Sequence, residues 1–215
     1  MTMPIDLVFV RHGQSEGNIA NKLSRSGDNS MFTEEFLNRH SSTWELTEKG
    51  KKQARMAGKW IKENIGTKFH RYYVSEYVRA MMTAVELDLS NAEWMVSDYL
   101  RERDMGDLDV MPDDERRRVF AESLRRRAMD PHYWPPPNGE SMPTLCLRSE
   151  KIFDTFHREC SRKRAICVVH GDFMRAADYV ITRMRHSDIL RLERSIIHMT
   201  RFIMARSCIT LGVIR

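Results

Sequence analysis

Two histidines in this chain stand in matching contexts. Leu7-Val8-Phe9-Val10 runs into Arg11-His12-Gly13, and Ala165-Ile166-Cys167-Val168-Val169 runs into His170-Gly171-Asp172, with Arg175 shortly after. One histidine at a strand end is ordinarily structural. Two in matched settings, each with an arginine close by, suggest neighbouring strands that aim both imidazoles into one pocket. Such pockets form at the carboxyl edge of an α/β sheet. Guanidinium and neutral imidazole together suit a phosphate, because the fork grips two oxygens while a ring nitrogen attacks phosphorus. Gly13 and Gly171 let the backbone come close, so amide groups can also face the anion.

Two further stretches carry chemistry. In Ser75-Glu76-Tyr77-Val78-Arg79 a strand ends in serine and Arg79 enters the first turns of a helix, whose free amides attract anions. The plainer reading of Arg79 is a surface cation. In Leu100-Arg101-Glu102-Arg103-Asp104-Met105-Gly106-Asp107, a carboxylic acid beside a phosphate could protonate the departing oxygen. A phosphate dianion would raise its pKa by like-charge repulsion. On composition alone Glu102, Asp104 and Asp107 are equal candidates.

The elements that must position these groups follow from periodicity. Residues 5–10 read as the first strand and Ser15 to Asn21 as the start of a short helix. Lys22 to Glu45 is polar and weakly periodic, an inserted loop or lid with one short helix. Within it Arg39, His40 and Trp44 stand out, and His40 is read as capping a turn rather than touching a leaving group. Thr47 N-caps a helix with Ala54, Ala57, Gly58, Ile61 and Ile65 on one face. Arg71 to Ser75 and Trp94 to Val96 read as strands, with a helix over 76–89 between them. Pro112 opens a helix to about Met129 that turns Val119, Phe120, Leu124 and Ala128 inward. A proline-rich loop at 131–139 precedes a helix that buries Leu145, Ile152, Phe153 and Phe156. After the second His-Gly strand come a helix with Ala177, Ile181 and Met184, and a last strand over 208–214. Strands alternating with helices predict one α/β domain over 1–215, without repeat or linker.

Composition narrows the function classes. At 215 residues, 41% hydrophobic and 30% charged, the chain reads as an ordinary globular domain. No apolar run is long enough to cross a bilayer, and the N-terminus lacks the features of a leader, so the expected location is cytoplasmic. Cys146, Cys160, Cys167 and Cys208 lack metal-ligand spacing, so no metal site is expected. The formal net charge is +5, and the densest basic run is Arg116-Arg117-Arg118 with Arg125-Arg126-Arg127, interleaved with Glu115 and Glu122. The bland reading is a solvated helix face, and the sharper one a field that draws in anionic substrates. A nucleic-acid partner is not expected, because no reading element accompanies the charge.

The ordered set of motifs resembles the histidine phosphatase superfamily, the phosphoglycerate mutase-like branch in particular. It comprises Arg11-His12-Gly13 with Ser15 and Asn18, then Leu46-Thr47 with Gly50, Gln53 and Ala54. Ser75 with Arg79-Ala80, Thr83 and Ala84 follows, then Leu100, Glu102 and Gly106. Asn138-Gly139-Glu140-Ser141 and Val169-His170-Gly171 with Arg175 complete it. The resemblance implies a three-layer α/β/α sandwich with a mostly parallel sheet and no cofactor. It implies that His12 becomes phosphohistidine while Arg11, Arg79 and His170 hold the phosphoryl oxygens. Asn18, Gly171 and the amide of Asp172 would assist, and Glu102 would be the proton donor. Asp172 departs from the pattern, either pairing with an arginine or weakening the grip on phosphate. The long 22–45 tract, the end at Arg215 and the stretch 201–206 also depart from it.

The leading expectation is a metal-independent phosphatase acting on a small phosphomonoester. The runner-up is a phosphoglycerate mutase-type isomerase, which the 22–45 tract and the missing tail disfavour. A non-catalytic phosphate-binding scaffold ranks below both, because every catalytic residue type is present. Sugar phosphates, nucleotides, phosphoproteins and cofactor precursors all satisfy such a grip.

Overall fold

Alternation along two strands sets the layers. The computed structural model describes residues 3–182, 202–205 and 209–214. In β1 (Asp6–Arg11), Leu7 and Phe9 enter one buried cluster while Val8 and Val10 enter another. In β4 (Arg164–Val169), Ala165, Cys167 and Val169 join the first cluster, and Ile166 and Val168 the second. A period of two sends successive side chains to opposite faces, so a strand apolar at every position must be covered on both sides.

Helices supply both covers. α7 (Met142–Glu159) and α8 (Gly171–Thr182) bring Leu145, Ile152, Phe153, Phe156 and Phe173 to the first face. α3 (Glu48–Asn64) and α4 (Val78–Glu86) bring Ala54, Ala57, Ile61, Ala80 and Ala84 to the second. Phe9 meets Phe153 and Phe173 edge-on, with centroids 6.5 and 6.1 Å away. Truncating so buried a phenylalanine costs about 3–5 kcal/mol.

The remaining strands are β2 (Arg71–Ser75), β3 (Trp94–Ser97), β5 (Phe202–Ala205) and β6 (Ile209–Ile214). The sheet order is β3-β2-β4-β1-β6-β5. The first four strands are parallel, and β6 and β5 run antiparallel at the far edge. The sheet is therefore mostly parallel with helices on both faces, the expected α/β/α sandwich. The stretch 201–206 contributes β5 through residues 202–205. Met184, Arg201, Arg206 and Cys208 lie outside the described residues. Among the described residues no helix is long and apolar enough to cross a membrane.

The 22–45 tract is more ordered than a loop. Its first residues belong to α1 (Glu16–Arg25), which Ser15 and Asn18 cap reciprocally. It also holds α2 (Glu34–Leu37) and a 3-10 turn at Ser41–Thr43. Trp44 is buried and stacks on Phe36 at 5.2 Å. A methyl group at Gly17 would run into the Trp44 indole, so this glycine is required by close approach.

One expected helix is two. α5 (Asp113–Val119) and α6 (Ala121–Met129) are separated at Phe120, whose φ of −112° and ψ of 29° leave the helical region. Pro112 precedes α5 as its cap residue rather than opening the first turn. Neither helix buries a residue, and Val119 is 47% exposed. The apolar spacing was too sparse, with ten of the seventeen residues of 113–129 charged, to define an inward face.

Candidate active site

β1, β4 and β2 lie side by side, and their carboxyl ends bring the two histidines together. Arg11 closes β1, His12 follows it, Ser75 closes β2, and His170 follows β4. The His12 amide donates to the Val169 carbonyl at 3.0 Å, continuing the β1–β4 pairing to the point where both chains turn away. The imidazole centroids lie 5.1 Å apart, tilted by 58°.

His12 presents one defined nitrogen. Its Nδ1 lies 2.7 Å from the Gly13 carbonyl oxygen, which only accepts, so Nδ1 carries the hydrogen. Nε2 is left with a lone pair, and it accepts from Nε of Arg79 at 3.2 Å. Burial first, then Arg79 and Arg11, hold the His12 pKa well below the ordinary imidazole value, so the ring stays neutral.

Arg79 is fixed from three sides. Nη1 donates to the Ser41 carbonyl at 2.7 Å, and the guanidinium carbon lies 4.7 Å from the centre of the Tyr77 ring. The Thr83 hydroxyl donates to the Arg79 carbonyl and accepts from the Gly13 amide, tying α4 to the turn that carries His12. The surface-cation reading of Arg79 fails, because the side chain is buried.

His170 is fully buried and its Nε2 lies 2.8 Å from the Ser75 hydroxyl. Its Nδ1 is buried without a hydrogen-bond partner. Burial, then Arg79 and His12, hold this ring neutral too. Tyr77 packs edge-on against it at 5.1 Å.

Glu102 lies at the start of α8. Its carboxylate accepts from the amides of Gly171 (3.1 Å), Asp172 (3.1 Å) and Phe173 (3.2 Å), and from Arg103 (3.0 Å). The amides of Gly171 and Asp172, expected on the phosphate, thus hold a carboxylate here, the kind of anion a helix N-terminus favours. Burial and then Asp172 raise the Glu102 pKa above its ordinary value, against the amide bond from Arg103 and the charges of Arg79 and Arg11. Asp104 and Asp107 are exposed and bonded locally, to Gly106 and Asn138. Asp172 pairs with Arg175 at 3.1 Å and more loosely with Arg103 at 3.9 Å.

The Arg11 guanidinium has no hydrogen bond or ion pair among the described residues, and Arg11 borders two adjoining cavities. One, of about 310 Å³, is lined by Glu102, Arg103, Gly171 and Arg175 among others. The other, of about 650 Å³, opens toward α1, α5 and α6. His12 lines neither, since Arg79 covers its Nε2. Asn18 is exposed on the wall of the larger cavity, its side chain also accepting from the Ser15 amide. His40 caps the 3-10 turn and Arg39 pairs with Glu16, so both serve structure.

Two contributors carried no signal in the sequence. Ser41 acts through its carbonyl, an atom every residue has. Tyr77 reads as an ordinary aromatic beside a strand end, and only the packing sets its ring between Arg79 and His170.

Comparison with known proteins identifies the family and the fold. The histidine phosphatase superfamily (branch 1) matches residues 7–211. A 2,3-bisphosphoglycerate-dependent phosphoglycerate mutase from Methylorubrum populi is 31% identical over 196 residues, covering 87% of this chain and 84% of its own. Among solved structures, the α-ribazole phosphatase of Shigella flexneri superposes with a TM-score of 0.67 at 19% identity, over 87% and 84% of the two chains. A mycobacterial glucosyl-3-phosphoglycerate phosphatase gives 0.68 at 21% identity, over 87% and 84%.

Proposed function

The chain belongs to the histidine phosphatase superfamily, and from that premise we propose that it is a metal-independent phosphatase that hydrolyses a small phosphomonoester through phosphohistidine. The observation that carries this is the state of His12: a neutral ring, its hydrogen pinned on Nδ1, its Nε2 lone pair held beside a buried arginine.

The chemistry follows from the contacts. As phosphate enters, Arg79 passes its Nε–H from His12 to a phosphoryl oxygen, freeing Nε2 to attack phosphorus in line. Ser75 donates to Nε2 of His170, so that the unpartnered Nδ1 carries a hydrogen for a second phosphoryl oxygen. Arg11 meets the phosphate from the cavity side. These donors stabilise charge spread over the equatorial oxygens. The phosphoryl group also draws the Gly171 amide off Glu102. The released carboxylic acid then gives its proton to the departing oxygen as the P–O bond breaks and the N–P bond forms. In the second half, Glu102 takes a proton from water, the water oxygen bonds to phosphorus, and His12 leaves with its lone pair restored.

A mutase reading competes, favoured by the name of the relative that is 31% identical. An isomerase must keep water from the phosphohistidine until the group returns. Here Asn18, Lys22 and Arg25 are exposed along the adjoining cavity, an arrangement that admits water. Incubation with p-nitrophenyl phosphate and, separately, with 3-phosphoglycerate plus 2,3-bisphosphoglycerate decides the matter, with chelator present in both. The phosphatase reading expects free phosphate from the first, none with His12→Ala, and no 2-phosphoglycerate from the second. Rapid 2-phosphoglycerate formation would overturn it.

A further inference from the structure

We propose that Arg148, seated by Glu140, is the positioning residue of the proton donor: it holds the backbone beside Glu102 still while the carboxyl group changes partners. This rests on the phosphatase reading, in which Glu102 protonates the departing oxygen.

The loop that carries Glu102 is gripped from two helices. Its carboxylate rests on the N-terminus of α8, through amide bonds that loosen when the proton moves. Its backbone lies against α7, where every donor of one side chain is used. A guanidinium carries five N–H groups, and Arg148 places all five. Nη1 donates to the carbonyls of Tyr99 at 2.9 Å and Arg101 at 3.0 Å, and Nη2 to the carbonyl of Glu102 itself at 3.1 Å. The second N–H of Nη2 and that of Nε meet the two carboxylate oxygens of Glu140, at 2.7 and 3.0 Å. This bidentate pairing adds direction as well as strength, and its side chains are only 14% and 12% exposed. Glu140 balances the charge of Arg148, so what Arg148 delivers to the loop is geometry.

Glu140 closes the clamp from its own backbone. Its amide donates to the Asp104 carbonyl at 2.8 Å, and its carbonyl accepts from Nε of Arg103 at 2.7 Å. Arg103 is the residue whose amide also binds the Glu102 carboxylate. Gly139 approaches so closely that a methyl group there would run into the Asp104 carbonyl and the Gly106 amide. The Asn138-Gly139-Glu140-Ser141 motif thereby gains a task in the chemistry: with Arg148 it fixes the point from which the Glu102 side chain swings. Lysine at 148 offers three donors on a flexible stem and cannot serve five acceptors.

Two esters tested on one preparation decide it. Hexyl phosphate has a leaving group that needs the proton, and p-nitrophenyl phosphate one that needs it far less. The ratio of their kcat/KM values does not depend on how much of the protein is folded, so lost stability alone cannot move it. Glu102→Gln should raise the aryl-over-alkyl ratio by about tenfold or more, Arg148→Lys by about fivefold or more, and Glu140→Gln in the same direction by less. Glu102→Gln combined with Arg148→Lys should raise it no further than Glu102→Gln alone, because both act on the same proton. An unmoved ratio in Arg148→Lys and Glu140→Gln, or effects that multiply in the double variant, overturns the positioning role alone. A ratio that Glu102→Gln leaves unmoved removes the acid and this proposal with it. If the unaltered chain releases phosphate from neither ester, the phosphatase reading falls and takes the proposal with it.

Discussion

Nε of Arg79 lies 3.2 Å from Nε2 of His12, so the arginine donates to the nitrogen that attacks in the proposed mechanism. The contact fixes the tautomer from one side while the Gly13 carbonyl fixes it from the other. In the proposed mechanism Arg79 trades one acceptor for another as phosphate arrives, keeping its bond to the Ser41 carbonyl. On that proposal, phosphate binding and activation of His12 become one event.

That coupling makes the Tyr77 ring consequential. Tyr77→Phe keeps a face for Arg79 and an edge for His170, and its kcat/KM should stay within about threefold of the parent, whereas Tyr77→Leu should lose about tenfold or more, mostly in kcat. Steady-state kinetics on p-nitrophenyl phosphate separates them. Equal losses in both variants would move the role from the ring to the hydroxyl.

Ser75→Ala leaves Nε2 of the buried His170 without its partner. Stranding a buried polar atom costs about 1–3 kcal/mol, so kcat/KM should fall by about tenfold to a hundredfold. Activity indifferent to this change would remove His170 orientation from the account.

Burial and Asp172 raise the Glu102 pKa above its ordinary value, so its acid form persists to higher pH than a free carboxyl's, and kcat/KM should decline as pH passes through that raised value. Glu102→Gln should flatten this limb and slow an alkyl phosphate by about 100-fold or more, with a smaller effect on p-nitrophenyl phosphate, whose leaving group needs less protonation. An unaltered pH profile would point to another acid.

The histidines predict a stability slope of definite sign. Both stay neutral in the fold, while the unfolded chain protonates them below about pH 6.5. The unfolded state then binds more protons, and stability falls with acidification by up to about 1.4 kcal/mol per pH unit for each ring. Glu102 acts in the opposite direction, since its raised value costs stability as pH rises. Comparing His170→Asn with the parent isolates one imidazole. In urea denaturation, the parent's stability relative to the variant should drop as pH falls from about 6.5 to 5. Parallel pH curves would show that His170 is not held neutral.

How much of this was legible beforehand depended on how strongly each element is constrained locally. β1 and β4 are apolar at every core position, and the turns after them hold residues with few other uses, so strand ends and histidines could be read together. The packing of α3 and α7 followed from apolar residues at helical spacing. The break at Phe120 could not be read, because arginines and glutamates favour helix on either side and neither proline nor glycine marks the interruption. Nor could the capture of the Gly171 and Asp172 amides by Glu102. That contact spans about seventy residues and exists only once the 100–107 loop folds against α8.

The central claim is a covalent bond between phosphorus and His12. Rapid mixing with p-nitrophenyl phosphate, an alkaline quench that preserves phosphohistidine, and peptide mass spectrometry test it directly. A phosphoryl group on the peptide containing His12, formed before phosphate release and absent in His12→Ala, is the expected result. Phosphate release with the protein never phosphorylated, or a phosphoryl group found only on His170, would contradict it.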